Sequence, residues 1–205
     1  TLTDQPGDDD QEVLAFAGHL KWDMGQWGTT EATTTWTDAR ETYAFDEDWI
    51  FQGFCDGVRC PPFNEFMSSD TVKRRRDQVS TDLRWLAQNG AWAWVTGAYY
   101  HHRDENMERR RFGVFNSTYE TERFALYGQL EYTFNDRVSA RLGIRGESFD
   151  DRYSDSFAVA TESDDTFWSG DATLEFQARP DTLLYATLSQ GAKPGGVNTS
   201  ATSVQ

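Results

Sequence analysis

The residues with most chemistry to offer are two cysteines, two adjacent histidines, two basic runs and several paired carboxylates. Cys55 and Cys60 enclose Asp56-Gly57-Val58-Arg59. A metal pair would want a second Cys/His pair close by, and none is there. A disulfide closing a small loop fits better, with Gly57 letting the chain bend to the required geometry, and it implies an oxidising compartment. His101-His102 cannot chelate together on a strand, because neighbouring side chains point to opposite faces; no metal ligand is assigned. Lys73-Arg74-Arg75-Arg76 and Arg109-Arg110-Arg111 fall in predicted surface loops, either solvated or gripping anionic groups such as phosphates. Asp150-Asp151 and Asp164-Asp165 flank one loop but lack the spacing of a calcium loop. Lys193-Pro194-Gly195-Gly196 lacks the order of a phosphate-cradling Walker loop. There is no Ser/His/Asp set, activated cysteine or glycosidase pair, so no catalytic site and no cofactor is assigned. The formal charge of −15 excludes ordinary nucleic-acid binding, since phosphates would be repelled.

What must position these residues is a set of long strands. Phe124, Leu126, Leu130, Tyr132 and Phe134 alternate with Tyr127, Gln129, Glu131 and Thr133. After the turn Asn135-Asp136-Arg137, Val138, Ala140, Leu142 and Ile144 alternate with Ser139, Arg141 and Arg145. Period-2 alternation means strands with one apolar face. Soluble strands average about 5–6 residues, whereas strands crossing a membrane need about 9–11. The pattern predicts eight strands, near 12–23, 29–45, 78–87, 91–102, a pair within 119–149, 166–178 and 182–191. The fold class expected is an all-β antiparallel transmembrane barrel sector.

Connections alternate in length. Short ones fall near 24–28, 88–90, 135–137 and 179–181, where Asn-Gly, Asn-Asp and Pro-Asp supply turn chemistry. Long ones are expected near 46–77, 103–118 and 150–165. Outer-membrane barrels sort their loops in this way, short on the periplasmic side and long outside. Aromatic residues gather at both ends of the strands. Trp22, Trp27, Trp85, Trp92, Phe134, Phe176 and Tyr185 lie near the short turns. Tyr43, Phe45, Tyr99, Tyr100, Tyr119, Phe149, Phe167 and Trp168 lie near the long loops. Two such girdles are expected at headgroup level. Mean hydropathy is only −0.72 and no run of 18 apolar residues occurs. That excludes a transmembrane helix but not a barrel, in which only alternate residues meet lipid. The acidic start, the small polar end and the lack of a terminal aromatic are read as an internal piece of a larger protein.

The segment Leu184-Tyr185-Ala186-Thr187-Leu188-Ser189-Gln190-Gly191-Ala192-Lys193-Pro194-Gly195-Gly196-Val197-Asn198 resembles a strand of TonB-dependent outer-membrane receptors. Trp94-Val95-Thr96-Gly97-Ala98-Tyr99-Tyr100, Tyr127-Gly128-Gln129-Leu130-Glu131-Tyr132 and Leu142-Gly143-Ile144-Arg145-Gly146-Glu147 are similar to others, in the family's order. Val197 stands where the family often has Phe. The resemblance covers most of residues 78–198. It implies a sector of a roughly 22-stranded barrel with a plugged lumen, in the outer membrane of a Gram-negative bacterium. It also implies TonB-driven uptake of a scarce solute, a siderophore–iron complex first among them. The domain expected over 1–205 is a partial barrel, without the plug domain and closing strands. Implied partners are outer-membrane lipid and lipopolysaccharide, the plug, TonB and a small solute. Tyr127, Gln129, Glu131, Arg141 and Arg145 would face the lumen, toward the plug or the solute path. Two alternatives stand beside this: a closed eight-stranded barrel, pairing the first strand with the eighth, and a soluble carbohydrate-binding β-sandwich.

Overall fold

The computed structural model describes residues 5, 7–47, 53, 68–193 and 195. Eight strands form one antiparallel sheet in sequence order. They are β1 (Asp8–Asp23), β2 (Thr29–Asp46), β3 (Ser69–Asn89), β4 (Trp92–Arg110), β5 (Val114–Asn135), β6 (Val138–Asp155), β7 (Ala160–Arg179) and β8 (Thr182–Gln190). A short 3₁₀ turn, Gly25–Trp27, joins β1 to β2. No helix among the described residues is long and apolar enough to cross a membrane, which says nothing about strands. β1 and β8 are the free edges of the sheet, so the first strand does not pair with the eighth. Among the described residues there is one sheet, not the two of a sandwich. Both alternatives are thereby excluded.

The strands are longer than alternation alone indicated. β4 runs to Arg110 and β5 starts at Val114, so only Arg111–Gly113 connects them. β6 ends at Asp155 and β7 starts at Ala160. Their turn is tightened by the Asp155 carboxylate, which accepts the N–H groups of Phe157 (2.9 Å) and Val159 (3.1 Å). The long loops expected near 103–118 and 150–165 are therefore the upper halves of hydrogen-bonded strands. The basic runs lie on strands too, with residues 73–76 in β3 and Arg109 and Arg110 in β4. The physical reason is solvation: where both faces meet water, the apolar period vanishes while the backbone ladder continues.

The sheet is built inside out. One face carries exposed apolar side chains, among them Phe16 (63%), Leu142 (60%) and Trp168 (64%). The opposite face holds most of the buried residues, among them Phe115, Ala125, Phe149, Tyr153 and the polar Asp70, Thr121, Asp151 and Thr173. Exposing apolar surface to water is unfavourable at about 25 cal/mol per Å², so a continuous apolar face of this extent calls for lipid.

The upper edge of that apolar face gives the strand tilt. Its last large apolar residue is Leu14 on β1, then the partners Trp36 and Val79, then the partners Tyr100 and Phe124, then Trp168 on β7. Through the cross-strand register, Trp168 is level with Leu20, six positions from Leu14. The edge thus moves one residue for each strand crossed. With about 3.3 Å per residue and about 4.8 Å between strands, that is a tilt of about 35°, the value for membrane barrels.

Two glycines make close approaches possible. A Cβ on Gly97 would sit 2.5 Å from the Tyr127 ring, and one on Gly146 would sit 2.9 Å from the Trp168 ring. On the apolar face most of the expected lower girdle is present, Trp22, Trp85, Trp92, Phe134 and Phe176, with the Trp92 ring tilted against Tyr132 at 4.3 Å between centroids. Tyr185 points to the other face. The upper girdle is corrected. Tyr43, Phe45, Tyr99, Tyr119, Phe149 and Phe167 share the opposite, polar face, and Trp36, Tyr100, Phe124 and Trp168 mark the apolar edge.

Candidate functional site

The polar face is a continuous hydrogen-bonded surface. Near the short turns, Glu31 accepts from Arg84 (2.7 Å) and pairs with Lys21 (3.3 Å). At mid-height, the Tyr127 hydroxyl donates to Asp82 at 2.9 Å. The Arg145 guanidinium lies 5.6 Å from the Tyr99 ring centroid and 5.9 Å from that of Tyr127. Its Nε and Nη2 donate to Glu147 at 2.9 and 2.7 Å. A cation between two aromatic faces and anchored by a carboxylate is rigid, and its remaining N–H groups can still meet an anion.

Higher up, His101 stacks on Tyr99, with ring centroids 6.4 Å apart. Arg103 lies 5.2 Å over the Tyr119 ring. Glu105 holds both Arg74 (3.2 Å) and Arg76 (2.8 Å), and Arg74 reaches Glu41 as well. Arg123, the cross-strand neighbour of His101, has no ion-pair or hydrogen-bond partner among the described residues. Arg74 and Arg76 are thus neutralised by Glu41 and Glu105, while Arg103 and Arg123 lie among the Tyr99, Tyr119 and Phe149 rings of the same face. Near the top of the sheet, Arg109 donates to the buried Asp70 (3.0 Å), which raises the guanidinium's already high pKa. Arg111 pairs with Glu47, and this hydrogen bond holds the Glu47 carboxyl below its usual range. Burial, then a hydrogen bond to Asp155, raises the Tyr153 phenol.

The five residues singled out from sequence all lie on this face, in the phase that alternation assigned. Tyr127, Gln129 and Arg145 line one cavity of about 590 Å³ with Asp82, Asp171 and Ser189. Glu131 lines a neighbouring one of about 380 Å³. Arg141 is the cross-strand partner of Glu131 but lines neither. Sequence reasoning missed Asp82, Tyr99 and Glu147, which orient Tyr127 and Arg145. A signal was present: a glycine inside a strand, Gly97, marks the close approach of a large neighbour. Cys55 and Cys60 lie outside the described residues. His101 and His102 do point to opposite faces. His102 instead shares the outward face with Asp104 and Glu120, their donor atoms within 4.8 Å of one another. The His102 Nε2–Asp104 contact of 3.0 Å accounts for much of that gathering, and half-exposed acidic groups cluster this way without an ion.

Solved structures share this fold at low identity. The ferric yersiniabactin uptake receptor FyuA from Yersinia pestis matches 86% of this chain over 27% of its own, at 15% identity and a TM-score of 0.66. The ferric-catecholate import receptor Fiu from E. coli K12, in its closed form, matches 91% over 33%, at 13% identity and a TM-score of 0.63. The copper transporter OprC matches 89% over 32%, at 15% identity and a TM-score of 0.63. The chain thus spans about a third or less of each of these relatives. Among curated proteins no sequence matches it. The family described as TonB dependent receptor-like, beta-barrel, matches residues 1–204, and the chain belongs to that family.

Proposed function

We propose that these eight strands are a sector of the barrel wall of an outer-membrane receptor that imports a scarce solute with energy relayed by TonB. The observation that carries this is the division of one sheet into a lipid-ready apolar face and a polar face of fixed arginines and tyrosines. The polar face is the lumen wall, with Tyr127, Gln129, Glu131, Arg141 and Arg145 toward the plug domain and the solute path. The plug, the TonB-contacting segment and the closing strands belong to other parts of the whole receptor.

The solute class proposed is an anionic siderophore–iron complex. Arg103, Arg123 and the ring-flanked Arg145 beside Tyr99, Tyr119 and Phe149 suit a ligand that is both anionic and aromatic, and two of the named structural relatives are a ferric yersiniabactin uptake receptor and a ferric-catecholate import receptor. The copper transporter shows that the same fold also serves another cargo, so the test must discriminate. The full-length receptor is expressed in a Gram-negative host lacking its own iron receptors. Growth on at least one ferric siderophore as sole iron source is expected, and it should stop when TonB is deleted. Growth on none, or growth that survives loss of TonB, overturns the reading. We further propose that Cys55 and Cys60 form a disulfide on the extracellular side. Alkylation of the exported protein without reductant should leave both unlabelled, and two labelled thiols would refute it.

A further inference from the structure

The outward face is acidic just above its apolar edge. One cross-strand row there runs Asp38–Asp77–Asp104–Glu120, from β2 to β5, and meets Arg152 on β6. Like charges directly opposite one another on a sheet are destabilising, so such a row needs cations. Its β2 end has them: Asp38 accepts from Arg40 at 3.2 Å and from Arg75 at 3.0 Å. At the β6 end Arg152 is held by Asp150 at 3.0 Å and comes only within 3.8 Å of Glu120. The middle lacks a basic partner. Asp77 has no hydrogen-bond or ion-pair partner among the described residues, and the contact of Asp104 is with His102.

His102 brings an imidazole to this stretch. Its Nε2 lies 3.0 Å from the Asp104 carboxylate. Its Nδ1 is buried and without a partner, so Nε2 is the nitrogen open to a further ligand. The hydrogen bond accounts for His102 and Asp104 lying together. It does not account for Glu120, which comes from the next strand, directly opposite Asp104 and of the same charge. Glu120 nevertheless places an oxygen within 4.8 Å of the other two donor atoms. All three side chains stay partly exposed, so an ion in solution can reach them.

We infer that His102, Asp104 and Glu120 bind one divalent transition-metal ion, Zn²⁺ first among them. The donor set selects the class. Ca²⁺ and Mg²⁺ take oxygen ligands, and Cu(I) wants sulfur, whereas one imidazole with two carboxylates suits a borderline ion. Tetrahedral ligands of Zn²⁺ stand about 3.4 Å apart. The His102–Asp104 pair already meets that distance, and the flexible Glu120 side chain closes the rest by rotation. The fourth position is left to water. The bound ion neutralises the middle of the acidic row and ties β4 to β5. His102 and Asp104 lie two and four residues beyond Tyr100, the last apolar residue of β4, which is about 5 and 11 Å above the hydrocarbon edge. The site is therefore wet and faces away from the polar wall, so its ion is structural and not cargo. The inference does not depend on which solute is carried.

The test uses full-length receptor in detergent, stripped with a chelator and then dialysed against Zn²⁺, with bound metal counted by elemental analysis. The variants are His102→Gln, Glu120→Gln and, as a control in the same acidic row, Asp38→Asn. Heat-modifiable gel migration establishes that each is folded; if His102→Gln fails it, Glu120→Gln is read alone. The expected result is one Zn²⁺ per receptor fewer in His102→Gln and Glu120→Gln than in the parent, and an unchanged count in Asp38→Asn. About a hundredfold excess of Mg²⁺ should not displace that ion. Thermal melting gives a second readout. In chelator, Glu120→Gln relieves the like charge opposite Asp104 and should melt no lower than the parent. In Zn²⁺ the parent should gain stability and Glu120→Gln should not. Equal Zn²⁺ counts in the parent and the folded variants overturn the inference. So does an equal loss in Asp38→Asn, or displacement by Mg²⁺, either of which would mean diffuse attraction by the acidic row.

Discussion

The lower and upper halves of the same strands obey different rules. On β5, the outward positions Phe134, Tyr132, Leu130, Leu126 and Phe124 are apolar or aromatic, and the next ones up are Glu122, Glu120, Thr118 and Asn116. The inward positions do not change character at that height: Glu131, Gln129 and Tyr127 give way to Arg123, Thr121 and Tyr119. Backbone pairing is continuous through both halves. What changes at the boundary is only the solvent on one side of the sheet.

The largest effect should come from placing a charge on the outward face at two heights. Leu142→Arg or Leu130→Arg puts a cation among acyl chains and should cost roughly 2–4 kcal/mol, read as lost assembly in the outer membrane. Arg141→Leu, one residue away on the polar face, should cost much less. Thr118→Arg, on the same face as Leu130 but above the apolar edge, should assemble normally. Equal defects in Leu130→Arg and Thr118→Arg would erase the distinction between the halves.

That same distinction decides what the sequence discloses. The lower half was legible: the eight strands, the short turns, the sharing of one face by Tyr127, Gln129, Glu131, Arg141 and Arg145, and most of the lower girdle, Tyr185 excepted, follow from alternation. The upper half was not, because a strand wet on both sides has no apolar period. Hence residues 103–110 and 150–155 read as loop and fold as strand. The partners of the predicted residues were hidden for another reason. Asp82 meets Tyr127 across 45 residues of sequence, and only the pairing register of β3, β4 and β5 brings them together.

A smaller effect probes the polar face. Gly97→Val would drive a side chain into the Tyr127 ring, and overpacking of this kind typically costs about 1–3 kcal/mol. The Tyr127–Asp82 hydrogen bond should be lost as well. Gly97→Val should therefore lower the melting temperature of the folded receptor, and Tyr127→Ala in the same chain should restore part of it, the Leu83 carbonyl 2.6 Å from the same Cβ position holding back the rest. Absence of rescue would mean that the ring does not lie over Gly97.

Proteolysis sharpens the upper half. Trypsin added to intact cells should cut at Arg111, in the connection between β4 and β5, well before Arg103, which is paired on both sides. Early cutting at Arg103 would restore the loop that alternation suggested.

The smallest effect is electrostatic. The Glu47–Arg111 pair closes the top of the sheet and lowers the Glu47 pKa. Its contribution is therefore full above the ordinary carboxylate value of about 4.3 and is lost as pH falls through the lowered one. Replacing Arg111 with Gln should remove that contribution at neutral pH, leave stability below the lowered pKa nearly unchanged, and so flatten the stability–pH curve below about pH 4.3. An unaltered acid limb in Arg111→Gln would show that the pair does not form.

The central claim is that one face of each strand passes from lipid to water while the other stays with the lumen. Spin labels placed singly from Val114 to Phe134 in the reconstituted full-length receptor test it most directly, by collision with oxygen, which partitions into lipid, and with a water-soluble nickel complex. Even positions from 124 to 134 should favour oxygen, and even positions from 116 to 122 should favour nickel. Odd positions should show no oxygen maximum at any height. Oxygen preference at odd positions, or at even positions above 124 toward Val114, would contradict the account.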